Sequence, residues 1–559
     1  MIASPLAVAG SIQEGVEAVT RGGEQITRSA HVDSFTRDHL PPLEQWPDLI
    51  FELPDLRYAE QLNCAQDLLD ATAARLGGDR RCLVTDSVTW TYADLLRHTN
   101  RIANVLVTDL GLVPGNRVLM RGTNNPWQVA CWLAVLKAGG VVVSTMPLLR
   151  AGELRPVIDA SQPSLALCDA GLADELVAAG TDGAVIVPVG GGGADDLTVR
   201  ATSRPDSFTA VPTAADDVAL IAFTSGTTGR PKGCMHFHRD VLAIADTFSS
   251  CVLRPHRDSL FVASPPMAFT YGLGGMLVFP LRVGAASLLP DRTAPPQLAE
   301  AIARHRATAV FTAPTAYRAI LRLPGFALDS LEHCVSAGEH LPAATWEAWR
   351  EATGLRIIDG IGATEMLHIF ISAPADQVRP GSTGRAVPGF RARVVDDDGQ
   401  PVADGDVGRL QVQGPVGCRY LADTRQLEYV RNGWNVTGDS YVRDEDGYYW
   451  YQARTDDMII SSGYNIAGPE VEGALLRHPD VAEAAVVGVP DQDRGTVVKA
   501  FVVLAADAEA TPVTARLLQE FVKQQIAPYK YPRAIEFVDA LPRTPSGKVQ
   551  RFQLREQVR

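Results

Sequence analysis

Residues 217–233 read "DVALIAFTSGTTGRPKG". The opening residues form a compact apolar run of strand type. The remainder is small, hydroxylated and glycine-rich, and one lysine closes it. Gly226 and Gly229 allow backbone angles that other residues avoid. Such a loop can fold its N–H groups and the hydroxyls of Thr224, Ser225, Thr227 and Thr228 around an anion, and Lys232 supplies the charge. Phosphate is the expected ligand, although the same composition also suits a plain turn or linker. The spacing excludes a Walker A loop, which keeps four residues between its first glycine and Gly-Lys-Ser/Thr.

Outward from this stretch, short β-rich runs alternate with helical patterns. "VVVSTMP" (141–147), "LIAF" (220–223), "AVFTAP" (309–314) and "HCVSAG" (333–338) are strand-like. "DLLRHTNRIANVLVTDL" (94–110) and "PAATWEAWREATG" (342–354) carry helical spacing. This alternation predicts an α/β fold of sheets flanked by helices, with largely parallel strands. From about residue 457 the runs "EVEGALLRHPD", "VAEAAVVGVPD", "VVKAFVVL" and "ARLLQEFVKQQI" predict a separate, smaller α+β unit. The polar residues 1–35 read as an N-terminal extension, and "VGGGGADD" (189–196) as a surface loop.

A chain of 559 residues calls for more than one domain. A formal charge of −14 argues against nucleic acid and anionic membrane as main partners. Eight scattered cysteines without a Cys-x-x-Cys predict reduced core thiols, not a disulfide frame or zinc site. The N-terminus lacks the pattern of a signal peptide, and no run is long and apolar enough to suggest a spanning helix. The expected location is the cytoplasm.

Four more stretches carry chemistry. "DGIGATEM" (359–366) sets Glu365 after a glycine-rich turn, and "TGDS" (437–440) presents Asp439. "ARTDDMIISSGYNIAGPEVE" (453–472) holds Arg454, Asp456 and Gly463, and "PRTPSGKVQRFQLRE" (542–556) holds Lys548. Singly, each also reads as a turn, a cap or a solvated loop. Together and in this order, they resemble the acyl- and aryl-adenylating (AMP-forming) superfamily over residues 36 to 559.

The resemblance implies a large domain over 36–455 and a small mobile domain over 456–559, hinged at Asp456. It implies ATP-dependent activation of a carboxylate to an acyl-adenylate, then transfer to a thiol, with Mg²⁺ and CoA taking part. The loop from Thr224 to Gly229 with Lys232 would hold the β- and γ-phosphates. Thr364 would contact the α-phosphate and Glu365 would hold Mg²⁺. Gly338 and Glu339, with Asp359, Gly360, Ile361 and Gly362, would frame the adenine. Asp439 would accept from the ribose hydroxyls, with Arg454 nearby. Lys548 would reach the carboxylate and α-phosphate oxygens. Rotation of the small domain would then bring Ser462, Gly463 and Tyr464 to the pantetheine arm.

"FTYGLGGMLVFPLRVGA" (269–285) and "GIGATEMLHIFIS" (360–372) are most similar to benzoate- and 2-aminobenzoate-CoA ligases. Mapped by that resemblance, the aryl pocket comprises Thr270, Tyr271, Gly362, His368 and Ile369, with Gly362 leaving room at the ring face. His368, in an apolar run, also reads as a structural histidine. Thr270 departs from the small apolar residue of benzoate enzymes and favours 2-aminobenzoate, ahead of benzoate, salicylate and other hydroxybenzoates. Ala453 replaces the usual glycine before the hinge-region arginine. The expected partners are a small aromatic carboxylate and CoA or a separate carrier protein, and a homodimer is the candidate assembly. An inactive aryl-acid or nucleotide sensor is the reading from another class, and the intact Lys232, Glu365, Asp439, Arg454 and Lys548 argue against it.

Overall fold

Helix Tyr92–Thr108 shows how the sequence pattern becomes structure. Thr91 caps it by accepting from the Asp94 N–H (3.1 Å), while Asp94 accepts from the Thr91 N–H (2.9 Å). Leu95, Ile102, Val105 and Leu106 then fall on one face and are buried. That face packs on Pro126–Lys137, a helix buried almost all round. Its one cation, Lys137, is buried but paired, donating to Asp70 (2.7 Å) and Asn100 (2.6 Å).

The chain, in a computed structural model, is described over residues 20–21, 24–25, 27–224, 231–325, 327–454, 457–461, 464–491, 495–544 and 547–558. Among these, a six-stranded sheet runs Lys232–Phe237, Val218–Thr224, Val141–Thr145, Arg117–Arg121, Leu165–Asp169, Val185–Val189. It is parallel apart from the hairpin at its edge. A nine-stranded sheet has Leu260–Ala263, Ala309–Thr312, His333–Ser336 and Ile357–Gly362 as parallel neighbours or near neighbours at its centre, with Ile369–Ser372 returning antiparallel. An antiparallel sheet built on Val407–Gln413 and Trp434–Arg443 completes the large unit. Helices cover the parallel strands, as the alternating pattern predicts.

Beyond residue 457 lie a two-stranded ribbon, Ile459–Ser461 with Tyr464–Ile466, and a three-stranded sheet, Val481–Asp491, Gly495–Leu504 and Ala534–Phe537. Helices Gly468–Leu475 and Pro512–Gln525 pack on them around a core of their own. All eight cysteines are free thiols, and all but Cys251 are buried.

Residues 27–35, read above as part of an extension, are tied to the large unit. Ala30 N–H donates to Asp217 (2.9 Å), Asp33 pairs with Arg117, and the Arg117 guanidinium lies 4.2 Å from the centre of the Phe35 ring. Their polarity reflects ion pairs with residues far along the chain, which no local pattern reveals.

Candidate active site

The edge hairpin delivers the lysine. Thr224 stands opposite Lys232 in register, while Ser225, Gly226, Thr227, Thr228 and Gly229 lie outside the described residues. Lys232 Nζ is 3.7 Å from Glu365 Oε1 and lies 4.9 Å from the centre of the Tyr420 ring. Glu365 is buried on a single helical turn, Thr364–Met366, that follows strand Ile357–Gly362. The Tyr420 hydroxyl donates to the same Oε1. Burial, reinforced by the Glu365 charge, pushes the Tyr420 phenol pKa up, so it remains a donor.

The Thr364 turn is held from beneath. His236 Nε2 donates to the Thr364 carbonyl at 2.8 Å, and its Nδ1 faces Asp240 at 3.7 Å. Asp240 in turn pairs with Arg419, and all three side chains are buried. A buried polar network of this kind fixes geometry, because breaking one member strands the others.

Two parallel strands supply the next wall. His333–Ser336 and Ile357–Gly362 place Ser336 beside Asp359. Burial holds the Asp359 carboxyl well above the usual carboxylate range, and its Oδ1 has no hydrogen-bond partner within the described residues. Glu339, expected in the adenine frame, accepts through its carboxylate from the Thr315 hydroxyl and from Arg543 (3.2 Å).

Asp439 and Arg454 are cross-strand partners, 3.2 Å apart. Burial raises the Asp439 pKa, against the pull of Arg454 and Lys548. Lys548 arrives from the small unit. A Cβ placed on Gly338, whose φ is +91°, would lie 3.8 Å from Lys548 Cε. The structure therefore brings Lys548 alongside Gly338 and within electrostatic reach of Asp439. Asp456, the expected hinge, and Ser462 and Gly463, expected at the pantetheine arm, lie outside the described residues, and Tyr464 is described only as the start of a strand.

The residues expected to line the aryl pocket divide into two groups. The His368 ring stands edge-on to Phe279 (centroids 4.6 Å apart) and near Phe248 (5.5 Å) and Tyr271 (5.6 Å). The Tyr271 hydroxyl donates to the Val335 carbonyl at 3.0 Å. Neither His368 nitrogen makes a well-formed hydrogen bond, and burial pushes its pKa down to about 3, so the ring is neutral. Gly274 makes room for it, since a Cβ there would lie 2.4 Å from His368 Cδ2. Thr270 instead lines a neighbouring cavity with Trp132, Ser144, Ala222, Phe269 and Leu273.

Gly362, expected at the ring face and in the adenine frame, also abuts the returning strand. A Cβ there would meet the His368 carbonyl oxygen at 2.8 Å, so the returning strand Ile369–Ser372 demands the glycine. Gly360 likewise abuts Ile369, whose Cγ2 would be 2.7 Å from a Cβ. Tyr420, His236, Phe279, Phe248 and Arg543 were not singled out from sequence. For Arg543 a signal existed, because it lies five residues before Lys548 in the quoted "PRTPSGK".

Residues 69–420 match the AMP-binding enzyme family, and residues 470–548 match the AMP-binding enzyme C-terminal domain. The chain belongs to the AMP-binding enzyme family. It is 36% identical to a benzoate–CoA ligase of Thauera aromatica, over 90% of this chain and 97% of that one. It is 34% identical to a 3-hydroxybenzoate–CoA ligase of Aromatoleum, over 89% of this chain and 97% of that one. Among solved structures it is similar to the anthranilate CoA ligase AuaEII in complex with anthranoyl-AMP. The TM-score is 0.86 at 32% identity, over 90% of this chain and 99% of that chain.

The family match, together with relatives named as CoA ligases, makes the chain an AMP-forming acid–thiol ligase working with ATP, Mg²⁺ and CoA. The donors described fit Mg²⁺. That ion takes one or two carboxylates together with phosphate oxygens and water, and Glu365 offers one buried carboxylate facing Lys232. Among the described residues no helix is long and apolar enough to cross a membrane.

Proposed function

We propose that this ligase activates 2-aminobenzoate in preference to benzoate, salicylate and other hydroxybenzoates, and passes the aryl group to CoA. The single observation that carries the two-step reading is Lys548 lying beside Gly338 and near Asp439. In the first step a carboxylate oxygen attacks the α-phosphorus of ATP and pyrophosphate leaves. Lys548 neutralises charge gathering on the carboxylate and α-phosphate oxygens. Lys232 and the loop beginning at Thr224 hold the outer phosphates, and Asp439 orients the ribose. Thr364 contacts the α-phosphate, and Glu365 would hold Mg²⁺, which when bound offsets charge on the phosphates.

In the second step the thiol sulfur attacks the aryl carbonyl carbon and AMP leaves. A rotation of the small unit at Asp456 withdraws Lys548 and presents the segment from Ser462 to Tyr464 to the pantetheine arm. The acid itself meets aromatic and aliphatic walls, which suit a flat ring. His368 acts there by shape, because a ring held neutral by burial carries no charge to offer. The Thr270 hydroxyl, at the cavity beside Phe269, pairs with the ring substituent.

The test is acid-dependent ATP–pyrophosphate exchange over benzoate, 2-aminobenzoate, salicylate, 3- and 4-hydroxybenzoate and a medium-chain fatty acid, followed by addition of CoA. The expected winner is 2-aminobenzoate, with its CoA thioester as product, and Thr270→Ala should move the ranking towards unsubstituted benzoate. An unchanged ranking in that variant contradicts the role of the hydroxyl. Exchange without a CoA product points to a carrier protein, and no exchange with any acid returns the chain to a sensor.

A further inference from the structure

Lys548 is exposed and ends a small turn that begins at Thr544. The turn is closed by backbone bonds, Thr544 N–H to the Lys548 carbonyl (2.7 Å) and Gly547 N–H to the Thr544 carbonyl (2.8 Å). The Thr544 hydroxyl also accepts from the Lys548 N–H at 3.1 Å. These bonds shape the turn but do not locate it against the large unit. A long, flexible side chain on an unanchored turn would spend little time in a productive position.

One guanidinium supplies the anchor. Arg543 Nη1 donates to the Gly547 carbonyl inside the turn (2.6 Å) and to Glu339 Oε1 of the large unit (3.2 Å). Its Nη2 donates to Glu483 Oε2 on strand Val481–Asp491 of the small unit (2.5 Å). The other Glu339 oxygen is held by the Thr315 hydroxyl, so the acceptor is itself fixed. All three charged side chains are half-buried, where such a tie is screened less than on an open surface. A second bond across the same junction, Arg322 Nη2 to the Ala482 carbonyl (3.0 Å), lies next to Glu483.

We propose that Arg543 is a positioning residue for Lys548. It joins the lysine's turn to Glu339 only while the small unit sits over Gly338, and so acts on adenylate formation and not on thiol transfer. The inference rests on the reading of Lys548 as the adenylation lysine. The three acceptors are divided between two nitrogens held at a fixed spacing by the planar guanidinium, a spacing that a lysine's three donors on one nitrogen do not reproduce.

The experiment compares Arg543→Ala, Arg543→Lys, Glu339→Gln and Lys548→Ala in both half-reactions. Exchange is measured with benzoate and 2-aminobenzoate, and thioester formation with supplied benzoyl-adenylate and CoA. Arg543→Ala should lower kcat for exchange by about 10- to 30-fold, with KM for ATP within about threefold and thioester formation within about twofold. Arg543→Lys should not restore exchange. Glu339→Gln should lower it less, and the double variant Arg543→Ala/Glu339→Gln should be no worse than Arg543→Ala alone, as expected for two members of one interaction. Equal loss in both half-reactions, or rescue by lysine, would overturn the proposal. If Lys548→Ala loses exchange while Arg543→Ala keeps it, this inference alone fails; if Lys548→Ala itself keeps exchange, the reading of Lys548 fails first.

Discussion

At the scale of single residues, the site is shaped as much by missing side chains as by present ones. Gly274 is the sharpest instance. A methyl there would lie 2.4 Å from His368 Cδ2 and 2.6 Å from its Nε2, well inside contact distance. The His368 ring is packed against Phe248, Phe279 and Tyr271, so it cannot retreat towards them. Gly274→Ala should therefore push His368 into the acid pocket. We expect KM for the aromatic acid to rise about tenfold and stability to fall by about 1–3 kcal/mol, the usual cost of overpacking. Steady-state kinetics and a thermal melt check both, and an unchanged KM would remove His368 from the pocket floor. Gly362 meets the same kind of close packing, because a Cβ there would lie 2.8 Å from the His368 carbonyl oxygen of the bulged return.

At the scale of elements, the edge hairpin and the Thr364 turn meet over Tyr420. This tyrosine lies in "GCRYLAD", a stretch with no recognisable chemical motif, and its importance comes from pairing distant in sequence. Cys234 in the hairpin bridges to Tyr420, which carries the phenol under Glu365. Removing the hydroxyl leaves a buried carboxylate with one donor fewer, and a hydrogen bond to a charged group contributes about 1.5–3 kcal/mol. Tyr420→Phe should lower exchange kcat/KM by about tenfold and raise the Mg²⁺ concentration needed for half-maximal rate. A magnesium titration of exchange decides it. Wild-type magnesium dependence in the variant would mean that Glu365 is oriented without Tyr420.

At the scale of the whole molecule, the α/β alternation was legible because strands buried in parallel sheets read as continuous apolar runs. "VVVSTMP", "LIAF", "AVFTAP" and "HCVSAG" all fall on strands, and "PAATWEAWREATG" on helix Ala343–Thr353. The Lys232–Glu365 and Asp439–Arg454 pairs were anticipated as members of one site, because the motifs that carry them are local. Long-range partners were not legible. Nothing near residue 339 announces Thr315 or Arg543, and nothing near residue 364 announces His236 or its support from Asp240 and Arg419. Such networks are set by which side chains the sheets bring face to face, and no periodicity in the chain encodes that.

The central claim is that one site performs two reactions and that Lys548 belongs to the first. The most direct measurement takes Lys548→Ala through both, as ATP–pyrophosphate exchange with the preferred aromatic acid and as thioester formation from supplied aryl-adenylate and CoA. Loss of a charge that stabilises the transition state should lower exchange by about 10²–10³-fold, while thioester formation stays within about threefold of wild type. Equal loss in both reactions, or exchange that survives the substitution, would contradict the account.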